Sequence, residues 1–106
     1  MIILEIIPSA RIKHATGTTD SSLVWLDYWE ERSNEDVSKY KYWKCECCGK
    51  DVPINKLVGS HVVKVDDPDE TIYIYPTCDT CNKTYKETKA DTKEFSVPET
   101  LLVPAP

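Results

Sequence analysis

Two C-x-x-C pairs, Cys45 with Cys48 and Cys78 with Cys81, constrain this chain more than any other feature. Two residues between cysteines let a tight turn aim both sulfurs to one side, and Gly49, directly after the first pair, supplies the permissive backbone that closes such a turn. The stretch between the pairs is long enough to bring them face to face. Four thiolates at such spacing make a tetrahedral zinc site, so the expected ligands of a structural zinc are Cys45, Cys48, Cys78 and Cys81. With five cysteines in the chain, Cys47 is left over. It reads as a free thiol beside the site, and an exchange in which Cys47 ligates in place of Cys45 or Cys48 is the alternative.

Disulfides would need an oxidising compartment. Met1 to Ile7 is too short an apolar run for a secretory signal, is interrupted by Glu5 and has no basic residue before it, so a cytoplasmic location is expected. A redox enzyme normally uses a single C-x-x-C after a strand and at a helix start; two pairs together point to metal.

A chain of 106 residues with 41% apolar side chains is one small domain with few places to build a large core. Structural zinc contributes about 10–16 kcal/mol of apparent binding energy in zinc-finger peptides, as much as the ~5–15 kcal/mol net stability of an ordinary domain. Removing the metal is therefore expected to unfold at least the central region. The net charge of −5, from 13 basic and 18 acidic side chains, argues against a protein that coats nucleic acid nonspecifically. A local basic patch is still compatible with it: Lys39, Lys41, Lys44, Lys50, Lys56 and Lys64 fall in or just before the first half of the zinc region, opposed between Lys39 and Lys64 only by Glu46 and Asp51. The plainer reading of those lysines is a solvated face. No apolar run is long enough to span a bilayer, and no membrane partner is expected.

Taken in order, Ile2 to Ile7 suits a strand that Pro8 ends. Arg11, Lys13 and His14 lead into a turn-forming segment from Thr16 to Asp20. Ser22 to Arg32 predicts an amphipathic helix, capped by Asp20, Ser21 or Ser22, whose Trp25, Tyr28 and Trp29 belong to the core more readily than to a binding face. Asn34 to Ser38 reads as a loop, and Lys39 to Lys44 as a strand leading into the first cysteine pair. Leu57 to Val65 and Thr71 to Tyr75 predict a hairpin turning at Asp66 to Asp69, with Pro76 stopping the second strand. Asp79 to Ala90 has no helix breaker, and a helix that starts on zinc ligands can donate its free N–H groups to the thiolates. The division is a strand and helix over 1–38, a zinc core over 39–90 and an extended tail over 91–106, all in a single domain.

Knuckle, hairpin, then helix, with G-S-H-V-V-K in the hairpin and C-D-T-C-N at the helix start, resembles the HNH endonuclease family over Cys45 to about Lys89. The resemblance implies an α+β fold built on a treble-clef, ββα-metal zinc finger, with the N-terminal strand and helix packed on it. It implies that the zinc is structural, that His61 is the general base activating water against a phosphodiester, and that Asn82 helps bind a second ion, magnesium or manganese. Two departures matter. Most active members carry an aspartate directly before the histidine, where this chain has Ser60, a poor ligand for a hard dication. The family's central asparagine falls near Tyr73. The expectation is therefore a degenerate nuclease-related module that binds DNA or a protein partner, with an active metal-dependent DNA endonuclease as the alternative. A small acidic domain of this kind would suit an accessory protein of a phage or mobile element, by association alone.

Overall fold

The computed structural model describes residues 8–15, 23–85 and 93–106. The expected strand over 2–7, the turn over Thr16 to Asp20, the three candidate helix caps and the far end of the second helix lie outside them.

A five-stranded sheet, antiparallel in every pairing, forms the centre. Its strands in chain order are β1 (Ser9–His14), β4 (Leu57–Lys64), β5 (Ile72–Cys78), β6 (Glu94–Pro98) and β7 (Val103–Pro104), arranged β6-β1-β4-β5-β7. A separate two-stranded hairpin consists of β2 (Tyr42–Lys44) and β3 (Asp51–Pro53). Among the described residues there are two α-helices, α1 (Leu23–Ser33) and α2 (Asp79–Tyr85), and three single 3-10 turns, the first of them, Val37–Lys39, at the junction of the expected loop and strand. The architecture is thus a small mixed α+β domain, mostly sheet.

The expected hairpin is present as β4 and β5, and its turn is held where the aspartates stand. Asp67 accepts hydrogen bonds from the amides of Asp69 (2.9 Å) and Thr71 (3.2 Å). Those amides hold the Asp67 carboxyl below its usual range, so this side chain is committed to its own turn. Pro76 does not stop β5. It pairs with Gly59, and the strand runs on to Cys78. The strand tolerates it because, among the described residues, β7 pairs only with Tyr73 and Ile74 and β5 beyond them is a sheet edge on that side, where a missing N–H costs no ladder bond.

Helix α1 follows its predicted span within a residue. Leu26 and Trp29 are buried, Trp25 and Tyr28 half-buried, so the aromatic face belongs to the core. Asn34, with φ of 62°, ends the helix in the left-handed conformation that asparagine tolerates better than most residues. The helix lies so close to the sheet that a Cβ on Gly59 would stand 2.4 Å from the carbonyl carbon of Trp25 and 2.5 Å from the amide of Leu26. Only glycine fits beneath it.

Among the described residues, both edges of the sheet come from the C-terminal segment. Strand β6 pairs with β1 through Ala10↔Val97 and Ile12↔Phe95, and β7 closes the other edge against Tyr73 and Ile74. Trp29 Nε1 donates to the Leu101 carbonyl (2.7 Å) and the Tyr28 hydroxyl to that of Pro104 (3.1 Å), so α1 fastens the tail between the strands. Among the described residues no helix is long and apolar enough to cross a membrane.

Candidate metal centre

The first cysteine pair sits in the β2–β3 turn. Cys45 follows β2 directly, its amide donating to the Lys50 carbonyl (2.8 Å), and Gly49, at φ of +75°, donates to the Cys45 carbonyl (2.6 Å). These two bonds fold the C-E-C-C-G turn tightly enough to present Cys45 and Cys48 together. Cys78 is the last residue of β5, and Cys81 lies in the first turn of α2. Strand, helix and turn therefore deliver the two pairs to one point.

The sulfurs of Cys45, Cys48, Cys78 and Cys81 all lie within 4.8 Å of one another. Across the pairs, Cys45 Sγ is 3.9 Å from Cys81 Sγ and Cys48 Sγ is 4.0 Å from Cys78 Sγ. Four sulfurs each about 2.3 Å from a central ion would stand roughly 3.8 Å apart, so the cage fits a tetrahedral thiolate-bound metal closely. Every cysteine is a free thiol rather than half of a disulfide. Among the described residues this is the only convergence of three or more Cys, His, Asp or Glu side chains that can hold a metal ion.

Backbone amides point at the sulfurs: in the first turn of α2, as a helix start on ligands predicts, Cys81 N donates to Cys78 Sγ (3.4 Å), and at the end of β5 Cys78 N donates to Cys45 Sγ (3.3 Å). Burial nevertheless dominates the proton affinities. It pushes the Cys45 thiol up to about 11 against the opposing pull of the Cys78, Cys48 and Cys47 amides, and it pushes Cys81 up as well. At half-exposed Cys48 burial also pushes upward, but the Lys50 amide and the neighbouring thiols outweigh it and the net shift is downward. The buried thiols of Cys45 and Cys81 thus hold their protons until a cation offsets the cost of burying their charge.

Cys47 is buried beside the cluster, its thiol against that of Cys81, and belongs to the apolar core with Ile12, Val62, Phe95 and Val97. It stands outside the set of four, where the spacing placed it.

His61 lies on β4 and is half-buried, its ring edge-on to Trp25 of α1 at 5.2 Å between centroids. Ser60, its neighbour, points to the opposite face of the strand, is completely buried and shares a hydrogen bond with Thr77. Asn82 is buried in α2, directly after the ligand Cys81. Nothing in the sequence singled out His14, yet it is almost fully enclosed, its Nε2 3.4 Å from Thr77 Oγ1 and its ring 5.8 Å from that of Phe95. The only trace of this in the sequence is its place in the alternation Ala10, Ile12, His14, which a single aliphatic residue makes too weak to read.

Fold and cluster together define a small mixed α+β domain with four cysteines arranged to bind a metal. No family model, no curated protein and no solved structure matches the chain.

Proposed function

We propose that this chain is a zinc-stapled domain of treble-clef type, related to the HNH endonucleases, which keeps the metal for shape and binds nucleic acid or a protein partner instead of cutting DNA. The observation that carries the reading is the cage itself: a turn and a strand–helix junction, with Cys48 and Cys78 30 residues apart in sequence, present four sulfurs at tetrahedral spacing. Zinc is favoured over the hard ions magnesium, calcium and manganese because all four donors are thiolates. Bound there, it ties the β2–β3 turn to the start of α2.

Three features favour binding over cleavage. Ser60 stands where a metal-binding aspartate would be needed, and it is buried with its hydroxyl engaged by Thr77. His61 rests against Trp25. Among the described residues, no second group of three carboxylates, histidines or cysteines gathers near them to hold a magnesium or manganese ion. The alternative, an active endonuclease with His61 as general base and Asn82 on the second ion, is separated by one experiment. Zinc-loaded protein incubated with supercoiled plasmid and magnesium or manganese should leave it intact; nicking that disappears in His61→Ala would overturn the binding reading.

A further inference from the structure

Next to the metal cage, the hairpin of β2 and β3 presents a face that the ligands do not use. Tyr42 pairs with Pro53 and Lys44 with Asp51, and all four side chains are exposed, while Trp43 and Val52 between them turn inward. Tyr42 is 61% exposed and Tyr40 50%, and among the described residues they are the large apolar side chains left most open to water. Tyr40 packs edge-on against Trp43 (5.5 Å), which packs edge-on against the buried Trp29 (6.0 Å).

The charge around them is segregated from that of the whole chain. From Lys39 to Lys56 five lysines face two acids, in a protein of net charge −5. Lys41, Lys44, Lys50 and Lys56 are all exposed and make no ion pair with any described residue. Lys50 and Lys56 line a cleft of about 340 Å³ beside the hairpin, and the ligands Cys48, Cys78 and Cys81 share that lining, so the cleft opens onto the metal cage. The acids close by are Asp51, opposite Lys44, Glu46, which is half-buried, and Asp79, which is engaged by Lys83 at 2.9 Å. Acidic side chains concentrate instead along the end of α1, where Asp27, Glu30, Glu31, Glu35 and Asp36 line a shallow groove.

We propose that the β2–β3 hairpin, together with the cleft beside the metal cage, binds single-stranded nucleic acid, with Tyr42 and Tyr40 stacking on unpaired bases and Lys41, Lys44, Lys50 and Lys56 meeting the phosphates. The inference rests on the domain being a noncleaving binding module, and it names the partner and the surface. A protein partner fits the hairpin less well, because interface cores are depleted of lysine and here exposed lysines alternate along the chain with the exposed tyrosines. A duplex fits less well because its base faces are stacked away, whereas aromatic platforms edged by cations suit a single strand.

The test is fluorescence anisotropy of the zinc-loaded full chain with labelled oligothymidylate, oligouridylate and a duplex of equal length, and with phosphatidylserine vesicles as the competing anionic surface. Both single strands should bind more tightly than the duplex and the vesicles. Tyr42→Ala should weaken single-strand binding about tenfold, and Tyr42→Phe should retain it, since stacking needs the ring. Replacing Lys50 and Lys56 together with alanine should lower the slope of log affinity against log salt by about 1.4, two phosphates at roughly 0.7 each. Arg32→Ala, on α1, should change neither. Preference for duplex or vesicles, or no binding by folded protein, overturns the proposal. Single-strand binding that Tyr42→Ala leaves untouched refutes this surface but leaves the binding module standing, whereas plasmid nicking refutes the module itself.

Discussion

Replacing Gly59 with alanine tests how the helix is seated on the sheet. The added Cβ would lie 2.4 Å from the Trp25 carbonyl carbon, 2.5 Å from the Leu26 amide and 2.7 Å from the Trp25 Cβ. Two of the three are backbone atoms that no rotamer change can move, so α1 must lift by about 1 Å or β4 must bend. Lifting α1 loosens Leu26 and Trp29 in the core and draws Trp29 away from the Leu101 carbonyl that fastens the tail. Overpacking a core costs about 1–3 kcal/mol, and a backbone clash of this depth belongs at or above the upper end. We expect a loss of about 3 kcal/mol, a fall of roughly 12–24 °C in Tm at ~4–8 °C per kcal/mol for a domain of this size. Urea titration of the zinc-loaded protein, followed by tryptophan emission, measures it. Gly49→Ala is the internal contrast: its Cβ meets nothing within 4 Å, so only the positive φ of 75° is penalised, at about 1–2 kcal/mol. If Gly59→Ala cost less than 1 kcal/mol, or no more than Gly49→Ala, the close seating of α1 on β4 would be refuted.

Burial lowers the His14 pKa from 6.5 to about 4. The unfolded chain takes up this proton below pH 6.5 and the native state only near pH 4, so stability falls as pH drops through that window, by about 3 kcal/mol at ~1.4 kcal/mol per pH unit. Urea midpoints across pH 4 to 6.5 should fall more steeply for the natural chain than for His14→Gln; parallel profiles would contradict the burial. Trp29→Phe deletes the donor to the Leu101 carbonyl and should cost about 1–3 kcal/mol while raising protease sensitivity after β6. Unchanged urea midpoint and cleavage rate would show that the tail is held by other contacts. Acidification should also release the metal, because the buried thiols of Cys45 and Cys81 hold their protons strongly. A zinc-responsive dye read during a pH titration follows it, and zinc retained when the thiols are protonated would exclude thiolate ligation.

What could be read from residues alone was whatever local chemistry encodes. Cys45 to Gly49 folds its own turn through bonds within six residues, and Asp67 caps the hairpin turn with its own side chain, so both were legible. Helix α1 was legible because Leu26 and Trp29 repeat on one face. The C-terminal strands were not. Their pairing partners, β1 and β5, and their anchor, Trp29, are remote in sequence, and F-S-V-P and V-P-A-P carry too few apolar residues to show a period. Pro76 misled for a related reason: whether a proline ends a strand depends on which neighbour has already stopped pairing. The exposed tyrosines of the hairpin were equally hidden, since their alternation with lysine fits a strand without showing which side faces water.

The central claim is that a metal held by Cys45, Cys48, Cys78 and Cys81 fastens the domain together. Elemental analysis of the purified chain, combined with circular dichroism before and after a strong chelator, tests it most directly. A single zinc per chain is expected, with the folded signal lost on chelation and regained on adding zinc back. Folded protein without metal, or zinc that stays bound in Cys45→Ser combined with Cys78→Ser, would contradict it.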